Sequence, residues 1–166
     1  MPSVEQRLAA LEQEVRLQRD HREIQHLITS YGPVVDTAEG PERARKVAEL
    51  WTQDGSYDIG GMHRCDGHDE IAEVFAERHF EHVQSGICHV MGPAYITVDG
   101  DEAVAINYSV VFRTEGDKFF PWRVSANRWD VVRTNGRWRV KTRINRLMNG
   151  EPPARDMLRV IDQMVA

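Results

Sequence analysis

The sequence contains no stretch of about 20 consecutive apolar residues, which is the length that a helix needs to cross a bilayer. Its first residues are polar and charged, unlike the short apolar segment and cleavage site of a secretory leader. Cysteine is scarce, because only Cys65 and Cys88 occur in 166 residues, and two separated thiols do not make a disulfide framework. We therefore expect a soluble protein of the reducing cytoplasm, with no membrane partner.

Long blocks of Lys and Arg are also missing, and the formal net charge is −5. Binding driven by the phosphate backbone requires such blocks, so nucleic acid is not an expected partner. The closest metal-like pairs do not have the spacing of a zinc finger or of H-E-x-x-H, and we expect neither a metal nor a cofactor. These pairs are His63 with Cys65, Cys88 with His89, and His79 with His82.

What the sequence does have is ordinary globular composition, with 41% hydrophobic and 28% charged residues, enough for one core in a chain of this length. The N-terminal segment, residues 1–18, carries an apolar seam with heptad spacing at Val4, Leu8, Leu11 and Val15. So short a seam is marginal alone. It either packs on its own domain or joins protomers, which predicts a homo-oligomer, a dimer or a trimer.

Helical periodicity continues from Ile24 to Val35, where Gly32-Pro33 is expected to kink or end the helix near Tyr31. Gly40-Pro41 opens a further helix that is predicted to run through Trp51 and to end at Asp54-Gly55. A short strand over 56–59 and a helix over 69–79 follow.

From residue 87 the pattern becomes β-rich, with turn signals at 99–100, 116–117 and 135–136 that predict a four-stranded meander. Helices followed by a meander indicate an α+β fold. Strands of ten or more residues tend to coil, so the sheet should present a concave face around a small-molecule pocket. Four large aromatic residues are candidates to line the mouth of this pocket: Phe119, Phe120, Trp122 and Trp129. Aromatic residues in such strands are, however, more often part of the core.

Several motifs occur in a characteristic order, and together they resemble the SnoaL-like branch of the nuclear transport factor 2-like superfamily over roughly residues 20–148. The motifs are Tyr31-x4-Asp36, Trp51-Thr-Gln-Asp-Gly55, Gly67-His-Asp-Glu-Ile71, His89, the 98–103 hairpin and Gly136-Arg-Trp138-Arg-Val140-x2-Arg143. The resemblance implies a cone in which a curved antiparallel sheet wraps around N-terminal helices and a central pocket. The cone would occupy residues 19–150, followed by a helical tail over 151–166.

Within that superfamily the chain is most similar to the scytalone dehydratase and bile-acid 7α-dehydratase group. The resemblance implies catalytic roles for Tyr31, Asp36, His89 and a basic residue on the last long strand, either Arg143 or Arg146. In such a site Asp36 would orient His89 as a general base, Tyr31 would donate to the oxygen that gains charge, and Arg143 would assist the leaving group. The implied reaction is a cofactor-independent elimination on a small hydrophobic or cyclic molecule.

Other interpretations stay open at this point. The same proton transfer would serve an isomerase of the ketosteroid isomerase type, and the fold also hosts noncatalytic ligand-binding or accessory subunits. His89 and Tyr31 fit a packed core equally well, and Asp36 fits a helix cap. Under strict alternation Arg143 lies on a solvated face unless a bulge turns it inward. Arg128-Trp129-Asp130 is similar to part of the epoxide hydrolase site, a minor alternative.

Overall fold

The computed structural model describes residues 1–76 and 78–164. The helices are α1 (Val4–Asp36), α2 (Gly40–Ala48), α3 (Gly67–Ala76), α4 (Arg78–Gln84), α5 (Pro152–Arg159) and α6 (Ile161–Met164). The strands are β1 (Trp51–Ile59), β2 (His63–Asp66), β3 (Ile87–Met91), β4 (Tyr95–Asp99), β5 (Glu102–Glu115), β6 (Lys118–Thr134) and β7 (Arg137–Leu147). Among these residues, none of the helices combines the length and the apolar character that crossing a bilayer demands.

The first helix is one continuous element, so of the two predicted outcomes, a kink or an end near Tyr31, the end was wrong. Pro33 lies in the last turn, where its missing N–H removes only one intrahelical hydrogen bond. The helix gains more from burial, because one stripe of its second half is fully packed against the sheet: Ile24, Ile28, Tyr31 and Val35. Its first half, up to Arg19, is exposed. The predicted boundary between residues 18 and 19 therefore lies inside a single helix.

The second helix is shorter than predicted, and Trp51 belongs to β1. The Trp51 indole is buried and donates from Nε1 to the carbonyl of Ser56 at 3.1 Å, so the side chain is anchored within its own strand. The predicted helix over 69–79 is described as α3 and α4, with residue 77 outside the described part of the chain. The last two residues of the predicted tail, 165 and 166, also lie outside it.

Seven strands form one curved sheet in the order β2-β1-β7-β6-β5-β3, with β4 also paired to β5. The three predicted turns connect β4 to β5, β5 to β6 and β6 to β7, which confirms the α+β meander. Two details differ. The strand that was expected first is two strands separated at 92–94, and β1 pairs with β7 in parallel, so the sheet is mixed.

One irregularity decides which face of β7 enters the core. The register with β6 shifts between Asp130 and Val131, because Asp130 pairs with Thr142 while Val131 pairs with Val140. Lys141 is therefore the extra residue of a β-bulge. Before it Trp138 and Val140 are buried, and after it the buried positions are Arg143 and Asn145.

Candidate active site

Asp36 and His89 meet where the end of α1 crosses β3. The Nδ1–H of His89 donates to Oδ1 of Asp36 at 2.5 Å, and the backbone N–H of His89 donates to Oδ2 at 2.8 Å. A carboxylate only accepts, so Nδ1 carries a proton, and in the neutral imidazole the lone pair is then on Nε2. The two side chains are 13% and 19% exposed. The sequence-predicted pair is thus brought together: the Nδ1–H contact sets the His89 tautomer, and the backbone contact holds the same carboxylate in place.

Gly32 allows this crossing, because α1 approaches the backbone of β3 at this residue. A Cβ at Gly32 would lie 2.3 Å from the carbonyl oxygen of His89, far inside van der Waals contact. The glycine that suggested a helix break in the sequence is therefore a contact point between helix and strand. It lets Asp36, one turn further on, reach the imidazole.

Arg143 is turned into the interior by the bulge and is only 2% exposed. Its guanidinium carbon lies 4.0, 4.2 and 4.6 Å from the ring centroids of Tyr31, Trp129 and Tyr57. Nε and Nη2 both donate to Oδ1 of Asn127, while Nη1 has no protein partner. Within the described residues no carboxylate pairs with this cation. The site thus holds an uncompensated positive charge.

Arg146, the competing basic residue, is directed elsewhere. It donates to Oδ2 of Asp58 at 2.6 Å in a half-exposed ion pair. This contact holds the pKa of the Asp58 carboxyl below its usual range, chiefly through the hydrogen bond from Arg146. Of the two candidates, Arg143 is therefore the one that lines the pocket.

Tyr31 lies below the guanidinium, with its ring edge-on to those of His89 and Trp129 at centroid distances of 6.0 and 5.8 Å. Burial raises the pKa of its hydroxyl well above the usual value, the neighbouring Tyr57 hydroxyl adds to the increase, and Arg143 opposes it. The phenol consequently stays protonated at neutral pH. It remains a hydrogen-bond donor inside the site.

A polar network supports Arg143, and the sequence analysis did not identify it. The Oδ1 atom of Asn127 accepts hydrogen bonds from Arg143 and Asn145, and its Nδ2 donates to the Ser109 hydroxyl at 2.9 Å. Trp129 donates to Oδ1 of Asn107 at 2.9 Å. The signal for these residues was their position, since their short polar side chains occupy inward positions of the long strands: Asn107, Ser109, Ser125, Asn127 and Asn145.

His79 is a further functional candidate, which the sequence analysis considered only as half of a metal-like pair with His82. It lies on α4, its Nε2–H donates to the Val35 carbonyl at 2.9 Å, and its ring centroid is 5.3 Å from that of His89. Burial, followed by repulsion from His89, lowers the pKa of His79 to about 4. This imidazole is neutral at physiological pH, with Nδ1 unprotonated, and it contributes to the pocket wall.

Asp36, His79 and His89 have donor atoms within 4.8 Å of one another and are the residues that would hold a divalent ion here. The group takes one residue, His89 or His79, from each of two pairs noted in the sequence, and Asp36 belonged to none of them. In the arrangement found, the proton on Nδ1 of His89 lies between this ring and Asp36, and an ion bound to both atoms would have to replace it. That no metal takes part stays a prediction.

The pocket lined by Tyr31, His79, His89 and Arg143 has a volume of about 160 Å³, and Asp36 lies behind His89, outside its lining. Cavities of roughly 150 Å³ hold one benzene molecule, so the inner chamber accommodates a single six-membered ring. It shares Ile59, Val74 and Arg123 with a larger outer groove of about 820 Å³. Of the aromatic residues expected at the mouth, Trp122 lines the chamber and Trp129 is buried beneath Arg143.

The other two aromatic candidates, Phe119 and Phe120, are 70% and 42% exposed and lie outside the pocket, so that expectation was wrong for them. They belong to the distal end of β6, beyond the concave surface that surrounds the chamber. Arg128 pairs with Asp130 at 2.9 Å on the half-exposed side of the same strand. This Arg-x-Asp segment does not contribute to the chamber.

A curved sheet packed against helices around a pocket, with a part-buried Asp–His pair, defines an α+β cone with a central pocket. The model of the SnoaL-like domain matches residues 16–144, and the chain belongs to this family. It is similar to a crystal structure of a nuclear transport factor 2-like protein from Novosphingobium aromaticivorans, at 39% identity and a TM-score of 0.85. That alignment covers 91% of this chain and 96% of the other.

Two more distant structures share the fold. A protein of unknown function from Mycobacterium tuberculosis is 19% identical, with a TM-score of 0.69 and coverage of 89% of this chain and 93% of the other. A candidate scytalone dehydratase from Novosphingobium aromaticivorans is 16% identical, with a TM-score of 0.63 and coverage of 79% and 85%. No protein with a curated description matches the chain.

Proposed function

We propose that this protein is a cofactor-independent lyase that eliminates water from a small cyclic β-hydroxy carbonyl compound. The observation that carries the proposal is the hydrogen bond between Asp36 and the Nδ1–H of His89, which leaves the other imidazole nitrogen as a base at the pocket wall. A base held in one tautomer, beside a donor for developing negative charge, is the arrangement that enolisation requires.

The first step is removal of a proton from the carbon beside the carbonyl by Nε2 of His89. The electron pair of the broken C–H bond moves into the new C=C bond, and the carbonyl oxygen becomes an enolate oxygen. Asp36 stabilises the imidazolium that forms, because its carboxylate already accepts the Nδ1–H. The proton is thus retained at His89 for the second step.

The second step returns that proton. The enolate re-forms its carbonyl, its electron pair expels the β-hydroxyl, and His89 donates the proton to this leaving oxygen, so that an unsaturated carbonyl compound and water are released. The base is regenerated, and no external oxidant or metal enters the balance.

The enolate oxygen requires a positive environment between these steps. Arg143 supplies a full charge and an unpartnered Nη1, and Tyr31 supplies a phenol that stays protonated. Both side chains line the same chamber as His89. Donors fixed in a poorly hydrated site before the reaction begins stabilise a developing oxyanion far better than donors in water do.

The experiment uses a panel of cyclic β-hydroxy ketones, with formation of the unsaturated ketone followed by its ultraviolet absorbance. We expect His89→Ala and Asp36→Asn to lower turnover by roughly 10²–10⁴-fold. His26→Ala is the matched control, because His26 is exposed on α1 and lies outside the pocket, and it should retain full activity. Unchanged turnover in folded His89→Ala would contradict the proposal.

The principal alternative within enzymes is an isomerase that uses the same base and returns the proton to a different carbon of the enolate. The product separates the two. Both reactions are assayed in heavy water. Movement of the double bond of an unsaturated ketone, without loss of water from the β-hydroxy ketones, would favour the isomerase.

A noncatalytic subunit is the alternative that a surface feature favours. On the outer face of the sheet an apolar row, Val90, Val110 and Val124, lies across β3, β5 and β6, next to a half-exposed Tyr108. Such a surface suits attachment to another protein. This alternative predicts ligand binding without turnover, and retained function after His89→Ala.

A further inference from the structure

The exposed half of α1 carries an apolar seam that has no partner within the described chain. The exposed fractions of its four side chains lie between 55% and 77%: Val4, Leu8, Leu11 and Val15. Ser3 caps the helix in a capping box with Gln6, so the helix begins at a defined residue and is preorganised at its free end. An ordered helix with an uncovered stripe of large aliphatic side chains needs a partner to bury it.

The phase of the helix excludes its own domain as that partner. Val15, the last residue of the seam, and Ile24, the first fully buried residue of α1, are nine positions apart, about two and a half turns. The seam therefore points away from the side on which the domain lies. Asp20 fixes this orientation where the helix leaves the domain, because it accepts from Arg133 at 2.6 Å.

We propose that residues 4–19 form a parallel two-stranded coiled coil with the same segment of a second copy of this chain. Val4 and Leu11 occupy d positions, and Leu8 and Val15 occupy a positions, of two heptads. In a parallel pair each residue of the seam meets its own equivalent. The two domains then lie on opposite outer sides of the helix pair, where neither obstructs the other.

Charge complementarity selects both the occupant and its direction. In the parallel arrangement Arg7 at g faces Glu12 at e of the second copy, and Glu14 at g faces Arg19 at e, so that twofold symmetry gives four attractive pairs. None of the four side chains is used in an ion pair within the described chain.

The antiparallel arrangement lacks this agreement. With the same core residues in contact, Arg7 would face Glu14, but Glu5 would face Glu12, and symmetry doubles both the attraction and the repulsion. The attractive and repulsive contacts would cancel. A seam of two heptads is also short, so we expect association that depends on protein concentration.

Disulfide cross-linking tests contact and direction together. In a Cys88→Ser background, which removes the exposed native thiol, Leu11→Cys should oxidise to a covalent dimer at least tenfold faster than Gln13→Cys, which lies on the opposite helix face. Equal rates for the two variants would overturn the proposal. Faster cross-linking between Leu8→Cys and Leu11→Cys chains than within Leu11→Cys chains would show an antiparallel pair and overturn it as well.

Charge exchange tests the recognition. Arg7→Glu and Glu12→Arg, each added to the Leu11→Cys chain, should slow its cross-linking about tenfold, because each change replaces two attractions with two repulsions. Mixing the two variants should restore the original rate in the mixed dimer. No recovery on mixing, with helix content unchanged by circular dichroism, would overturn the assignment of these charges.

Discussion

Replacing Arg143 with Met measures how the buried charge contributes to stability and to function. Met has a similar length, fills the space among the three aromatic rings, and carries no charge. The guanidinium is 2% exposed and has no carboxylate partner, so its desolvation cost is several kcal/mol. Opposing it are three cation–π contacts, about 0.5–2 kcal/mol each, and two charged hydrogen bonds to one oxygen, about 1.5–3 kcal/mol each.

The contacts and the desolvation cost oppose each other, and replacement of a buried charge by an apolar side chain of similar volume is often close to neutral. We therefore expect Arg143→Met to change the free energy of unfolding by less than about 1.5 kcal/mol in urea titrations at pH 7. Turnover should fall at least about 100-fold, because a charge aimed at a developing oxyanion is lost. The buried cation would then be retained for its reaction and not for the fold.

Asn127→Leu is the informative comparison, since it removes the acceptor and leaves the charge. This variant should cost about 3 kcal/mol or more, because the buried guanidinium loses the acceptor of both hydrogen bonds, and an unsatisfied charged group costs more than a neutral one. Combining it with Arg143→Met should recover about 2 kcal/mol or more of that loss, because the unpartnered charge is then gone. A loss above about 4 kcal/mol for Arg143→Met alone would refute the reasoning and make Arg143 a structural element.

Two further predictions concern the contacts around His89. The pKa of His79 is about 4 when folded against an ordinary 6.5, so the unfolded chain takes up the proton first as pH falls. Stability is complete above pH 6.5 and should drop by about 1–3 kcal/mol between pH 6.5 and 4. His79→Asn should reduce this drop in urea titrations at pH 7.5 and 5, and an equal drop would contradict the assignment. Gly32→Ala should destabilise the protein by about 1–3 kcal/mol, because its Cβ would lie 2.3 Å from the His89 carbonyl oxygen. Helix propensity alone predicts a gain of about 1 kcal/mol, so the sign in the same titration decides between contact and propensity.

The fold was predictable where the signals are local. Gly100, Gly116 and Asn135-Gly136 all adopt positive φ at hairpin turns, so the sequence marks three turns of the meander directly. Gly32-Pro33 led to the wrong prediction for the end of α1, because a helix break and a close helix–strand contact both favour glycine. Only the contact with His89, 57 positions away, distinguishes the two.

The candidate site was predictable in part, and the reason is again the range of the interactions. Asp36 and His89 were selected through the resemblance of their motifs. The side of the strand that Arg143 occupies depends on the bulge at Lys141, which is defined by pairing with β6 and leaves no mark in β7 alone. Asn127 was missed because an asparagine in a strand is informative only when its inward direction is known.

The most direct test of the central claim is the tautomeric state of His89 in protein labelled with nitrogen-15. Two-bond proton–nitrogen correlations at neutral pH should show His89 protonated on Nδ1 and unprotonated on Nε2, with His79 in the opposite tautomer as an internal reference. In Asp36→Asn the His89 signals should shift while those of His79 persist. Wild-type His89 protonated on Nε2, or His89 signals unaffected by Asp36→Asn, would contradict the account.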